Sequence, residues 1–220
     1  MWLPEPAIEL VDTAVFAAAV AEALDGGAAI VHGAVPATPV ARLLTEARGH
    51  ELTQASRRVG VVEQLVYTRT LTIPTQTAPS VDALADAIAA CANTGWHATE
   101  ATISRYPPRG GISPHRDPRR FTGLVVTVTL SGTGEFTVTQ DRSSHCVTRR
   151  WLVRSGDAVI VVQDPRQQPA PFHAISTGDI ERWSITLRQC KPDSDHIAVA
   201  SAGVRTAGRE CASRSSAGPL

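Results

Sequence analysis

Apolar positions recur at helical spacing in three stretches, all before Gly95. The segment Asp12 to Leu24 predicts an amphipathic helix, with Asp12 or Thr13 as its cap and Gly26-Gly27 as its stop. The apolar run Ala28 to Val31 predicts a strand. Pro36-Ala37-Thr38-Pro39 opens a second helix to about His50, with Thr38 as cap and Pro39 in the first turn. Val59 to Ile73 is rich in valine, leucine, tyrosine and threonine, which suits strands. Ser80 begins a third helix, Val81 to Ala92, closed by Asn93-Thr94-Gly95.

From Trp96 the texture changes to short apolar-alternating runs separated by glycine, proline and aspartate. Ala98 to Tyr106 is one run. Leu124 to Leu130, the turn Ser131-Gly132-Thr133-Gly134, and Glu135 to Thr139 together predict a hairpin. Trp151 to Arg154 and Ala158 to Val162, joined by Ser155-Gly156-Asp157, predict a further pair, and Trp183 to Leu187 the last strand. Many short strands at such spacing argue for an antiparallel barrel or jelly roll. After Lys191 the chain is poor in large apolar residues and rich in serine, alanine, glycine and arginine, so residues 191–220 read as a disordered tail. The remainder, 1–190, reads as one domain: a helical and strand part over 1–95 and a jelly-roll core over 96–190.

Composition narrows the function classes. Lysines plus arginines equal aspartates plus glutamates, 21 each, which argues against a general attraction for DNA, RNA or an anionic membrane. Cys91, Cys146, Cys190 and Cys211 show no C-x-x-C spacing, against a zinc ribbon or a thioredoxin-type site. Met1 to Pro6 lacks the basic start of a secretory signal, so the expectation is reduced thiols in a cytoplasmic protein. The alanine-rich stretch Val15 to Leu24 is too short to span a membrane and contains Glu22. No feature sets an oligomeric state.

Candidate chemistry starts at His115-Arg116-Asp117. On an extended backbone residues i and i+2 project to one side, so this pair can grip one metal ion. His173, just before the last strand, is the best third ligand. Two imidazoles and a carboxylate leave open positions opposite, as non-haem iron(II) oxygenases require. Taken alone, H-x-D is a weak signal, and His115 and His173 read as well as a loop histidine and a half-buried one. His145 competes for the third place, but Asp141 to Cys146 looks like a hairpin tip pointing away from a barrel interior. His32, His50, His97 and His196 show no ligand-like spacing. Arg182, Ser184, Thr186 and Arg188 share one face of the last strand, and Trp183, Ile185 and Leu187 the other. The polar face is either a solvated edge or an inward clamp for a dicarboxylate, which arginine pairs through two parallel hydrogen bonds.

Ser104-Arg105-Tyr106 through His115-Arg116-Asp117, followed by His173 and then Arg182 and Arg188 in R-x5-R spacing, resembles the AlkB-like branch of the iron(II)/2-oxoglutarate dioxygenases. The resemblance covers about Trp96 to Gln189. It implies an α+β fold, with a double-stranded β-helix (jelly-roll) core and the N-terminal helices packed on one side. It implies Fe(II), 2-oxoglutarate as cosubstrate and O2. By the same resemblance His115, Asp117 and His173 bind iron. Arg182 pairs with the distal carboxylate of 2-oxoglutarate, helped by Tyr106 and with Ser184 beside it. Arg188 lies nearer the iron and fixes Asp117 or the proximal carboxylate. Ser104 stands where the family has asparagine and offers one donor instead of two.

The substrate is read separately. Between Ala17 and Val66 there is no phenylalanine, tyrosine or tryptophan, which argues against a lid that stacks on a flipped base. Arg57-Arg58 and the arginines at 105, 109, 116, 119 and 120 can form a basic rim, which keeps nucleic acid open as a partner. The leading expectation is hydroxylation of a small molecule. Oxidative dealkylation of nucleic-acid bases comes second, and a non-catalytic jelly-roll binding module third.

Overall fold

A computed structural model describes residues 8–10, 12–143, 145–163 and 169–192. Helix α1 (Thr13–Gly26) is capped by Asp12, whose carboxylate accepts hydrogen bonds from the amides of Ala14 and Val15, and ends at Gly27 with φ 83°. Strand β1 (Ala28–Val31) follows. Helix α2 (Ala37–Arg48) begins earlier than the sequence suggests: Pro36 takes the capping position and no side chain, Thr38 included, caps it. The short strands β2 (Thr53–Gln54), β3 (Arg58–Val59), β4 (Val62–Leu65) and β5 (Tyr67–Thr72) precede helix α3 (Pro79–Ala92). This helix starts one residue before Ser80, because Pro79 suits its first turn while Thr75 Oγ1 accepts from the Ala78 amide. It ends at Asn93, φ 48°.

The remaining strands are β6 (Glu100–Tyr106), β7 (Gly111–His115), β8 (Phe121–Ser131), β9 (Thr133–Thr139), β10 (Val147–Arg154), β11 (Ala158–Val162), β12 (Phe172–Ser176) and β13 (Arg182–Cys190). They form two antiparallel sheets. One has the order β1-β11-β8-β13-β6-β5-β2 and the other β10-β9-β12-β7-β4-β3. The result is jelly-roll-like, mostly antiparallel sheet with few helices. The outer face of the first sheet (Val126, Val128, Leu130, Ile160, Ile185, Leu187) is buried against Phe16, Leu43, Leu84 and Ile88 of the helices. Its inner face (Val125, Val159, Val161) meets Phe136, Val138, Val153 and Ile175 of the second sheet. The alternation read along the strands is thus the alternation between these two layers.

Two expected hairpins do not form. β8 pairs with β11 and β13, whereas β9 pairs with β10 and β12. The chain crosses from one sheet to the other at Gly132, φ 74°, where a Cβ would collide with the Glu181 carbonyl. β10 and β11 likewise lie in different sheets. β8 is buried on both faces because the helices cover one and the second sheet the other, while β11 and β13 take its two edges. The expected tail falls, from residue 193 on, outside the described residues. No described helix is long and apolar enough to cross a membrane.

Candidate active site

Strands β7 and β12 are neighbours, and their register sets His115 directly opposite His173. The two rings lie 4.5 Å apart, centroid to centroid. Close approach of these strands depends on Gly111, where a Cβ would collide with the Ile175 carbonyl. Asp117 lies just past the end of β7 and is buried. Its Oδ2 is 3.3 Å from His173 Nε2 and its Oδ1 accepts a 2.8 Å hydrogen bond from Arg188 Nε. The three residues singled out by spacing therefore converge in space. His145 is exposed at the turn between β9 and β10.

The surroundings set the charge state of each donor. Burial first, and then the neighbouring His173, push His115 down from its ordinary 6.5 to about 4. The imidazole is neutral near pH 7, with a lone pair to offer. Its Nδ1 lies 3.0 Å from the Ser113 carbonyl, which leaves Nε2 toward the cluster. Burial acts to raise the Asp117 carboxyl. The Arg188 guanidinium outweighs it, aided by the hydrogen bond from His173 and by His115, and holds the group well below the usual carboxylate range. His173 stacks on Phe136, with centroids 5.7 Å apart and planes 11° apart. Its Nδ1 is buried without a partner among the described residues.

On β13 the polar face turns inward, and the solvated-edge alternative fails because β13 is central, between β8 and β6. Arg182 is 1% exposed, extreme for an arginine. Its Nη2 donates to Thr129 Oγ1 at 2.8 Å and its Nη1 to Ser184 Oγ at 3.3 Å. Its Cζ stands 5.3 Å from the Tyr106 ring centroid. Its Nε is buried with no partner among the described residues, and no carboxylate is paired with it there. Burial pushes the guanidinium down from its ordinary value, with Tyr106 acting the other way. Ser104 lies across the ladder from Ser184 and is buried. Arg188 reaches Thr102 Oγ1 at 2.9 Å as well as Asp117.

A buried cation without its counter-charge is costly, so the pocket around Arg182 suits an anion. The donor set His115, Asp117, His173 suits a divalent transition metal such as iron(II). The donor types fit, but among the described residues no three of them stand in an arrangement ready to hold an ion. Sequence reading missed Thr129, Thr102, Phe136 and Gln163, whose amide lies 3.5 Å from Asp117 Oδ2. Alternation along β8 and β6 places Thr129 and Thr102 on the inner face. Nothing local marks Phe136 or Gln163.

The expected basic rim divides. Arg105 pairs with Glu181, Arg109 with Asp179 and Arg120 with Glu100. Arg57 and Arg58 line a separate cavity of about 690 Å3 against β4, β7, β9 and β12, which does not reach His115, Asp117 or His173. A second cavity of about 610 Å3, lined by Arg116, Arg119, Arg142 and Phe172, does reach Asp117 and Gln163.

No protein-family model matches the chain, and no curated protein matches it in sequence. Solved structures match the fold. A prolyl-4-hydroxylase of Pseudomonas putida aligns with a TM-score of 0.59 at 16% identity, over 80% of this chain and 99% of its own. OsALKBH1 aligns with a TM-score of 0.54 at 18% identity, over 74% and 98%. SnoN, a non-heme alpha-ketoglutarate-dependent epimerase from nogalamycin biosynthesis, aligns with a TM-score of 0.57 at 18% identity, over 80% and 81%. This chain has their fold. Because the three differ so much in kind, the likeness does not single out an AlkB-like branch.

Proposed function

We propose that this protein is an iron(II)- and 2-oxoglutarate-dependent oxygenase with a double-stranded β-helix core. It oxidises a small molecule, most simply by hydroxylation, with release of succinate and CO2. One observation carries the reading: a single barrel interior holds a two-histidine, one-carboxylate cluster and a fully buried arginine with no counter-charge among the described residues. The fold shared with a prolyl-4-hydroxylase and with a non-heme alpha-ketoglutarate-dependent epimerase supports it.

His115, Asp117 and His173 would hold the iron, which when bound supplies the activation of dioxygen that side chains lack. Burial keeps His115 unprotonated and able to ligate. Arg188 keeps Asp117 ionised and fixes the direction of its free oxygen. Thr129 and Ser184 lock the Arg182 guanidinium, leaving Nε for the distal carboxylate of 2-oxoglutarate, with Tyr106 beside it. Phe136 on His173 excludes water from one side of the cluster.

Anaerobic addition of iron(II) and 2-oxoglutarate to the purified protein tests the reading. A weak visible absorption band needing both additions is expected, followed by succinate release on exposure to air. No band, with no retained iron, would overturn it. Nucleic-acid dealkylation is the second reading, favoured by the resemblance around Tyr106 to Asp117 and by the arginines at the cavity mouth. Against it stand the zero net charge and the missing aromatic platform. No salt-sensitive binding to single- or double-stranded DNA is expected at about micromolar concentration and physiological salt.

A further inference from the structure

The cavity that reaches Asp117 has an unusual wall. Arg116, Arg119, Arg142 and Lys191 line it, and Asp117 is its only acidic residue among those described. Both Asp117 oxygens are already engaged, by Arg188 and by His173. The arginines elsewhere behave differently. Arg105, Arg109, Arg120, Arg149 and Arg150 each have a carboxylate within pairing distance. Arg116, Arg119 and Arg142 pair with no carboxylate among the described residues. Two of them converge: Arg116 Cζ lies 4.0 Å and Arg142 Cζ 5.6 Å from the centroid of the Phe172 ring. Phe172 opens β12 and points to the opposite face of that strand from His173, so the link between these guanidiniums and the cluster is the cavity itself, which reaches Asp117.

Like charges gathered on one wall repel, and stacking on an aromatic ring offsets only part of that. An anion in the cavity would meet guanidiniums from its lining through charge-assisted hydrogen bonds. A volume of about 610 Å3 suits a small molecule. We propose that the substrate carries an anionic group, a carboxylate or a phosphate monoester, received by Arg116, Arg119 and Arg142, with the rest of the molecule reaching toward Asp117 and His173. The assignment rests on the oxygenase reading and names its substrate class. A nucleic acid is the less favoured source of anions, because the chain carries no net charge.

Equilibrium dialysis of the full chain tests this with 4-fluorophenyl phosphate, 4-fluorobenzoate and the neutral 4-fluorobenzamide. It is run on metal-free protein and, anaerobically, with iron(II) and saturating 2-oxoglutarate. At least one anionic probe should bind about tenfold more tightly than the amide, with affinity falling as salt is added. The phosphate and carboxylate arms identify which anion is preferred. Arg142→Ala and Arg119→Ala should each weaken that binding by about tenfold, and Arg57→Ala, in the other cavity, should not. Equal binding of the amide, displacement of the probe by 2-oxoglutarate, or loss of binding in Arg57→Ala overturns the assignment. So does tighter, steeply salt-sensitive binding of a short single-stranded oligonucleotide through the same arginines. The absorption band reports 2-oxoglutarate independently. Anion binding without the band removes the oxygenase reading alone, and the band without anion binding removes this inference alone.

Discussion

The two faces of β13 are made from alternate residues of one strand, and both are buried. Trp183, Ile185 and Leu187 face the helices, where apolar neighbours surround them. Arg182, Ser184, Thr186 and Arg188 face the interior between the sheets. There Arg182 keeps a nitrogen with no partner among the described residues, and Arg188 is spent on Asp117. Burial therefore means different things a few ångströms apart. On the outer face it removes apolar surface from water and stabilises the fold. On the inner face it strips water from charge, which is tolerated only if something else supplies the counter-charge. The outer face holds the protein together, and the inner face carries the charges that the proposed cosubstrate would answer.

The largest expected effect breaks the inner face at the cluster. His115→Ala or Asp117→Ala should abolish iron binding and succinate release while the cooperative unfolding transition is kept; full uncoupled turnover in either would remove the metal assignment. Next comes Arg182. Losing one partner of a buried charge pair costs about 3–5 kcal/mol, a few hundredfold or more in affinity. The half-saturating 2-oxoglutarate concentration should rise by that order in Arg182→Ala and only modestly in Arg182→Lys, with iron binding preserved in both.

A stability comparison sharpens the contrast between the faces. Leu187→Ala should destabilise the ligand-free protein by about 2–5 kcal/mol in urea unfolding. Arg182→Met, in the same strand, should leave that stability unchanged or raise it, because it removes a buried cation with no counter-charge among the described residues. A large loss in Arg182→Met would mean that the inner face is structural.

The smallest effect is a slope. In metal-free protein the folded His115 resists protonation until about pH 4, whereas the unfolded chain takes up the proton below the ordinary 6.5. Stability should therefore fall as pH drops from 6.5 toward 4. The low Asp117 value adds to the loss in the same direction at still lower pH. His115→Gln should flatten the upper part of the profile, and an unchanged slope would contradict the burial of that ring.

Much of this was legible along the chain because it is encoded within a few residues. Asp12 caps α1 through the amides two and three positions on. Asn93 closes α3 in the left-handed conformation. The period of two along β13 sorts its residues onto two faces, and the i, i+2 spacing puts His115 and Asp117 on one side. Each follows from backbone geometry that no distant residue needs to complete.

What only the tertiary structure decided depends on pairings between segments far apart in sequence. A two-residue period cannot say which face of β13 is solvated; β8 and β6 on either side of it, with the second sheet beyond, settled that. Turn-like residues at Ser131 to Gly134 look the same for a hairpin as for a crossing between sheets, and the crossing follows because β11 and β13 take both edges of β8 while β10 and β12 take those of β9. His173 stands beside Asp117 because β12 pairs with β7 in the register that opposes His173 to His115. The arginines were equivalent as letters. Carboxylates on neighbouring strands and loops neutralised Arg105, Arg109 and Arg120, and left Arg116, Arg119 and Arg142 around the cavity without such partners among the described residues. Charge pairing acts through space over a few ångströms, so its outcome is set by the fold and not by order along the chain.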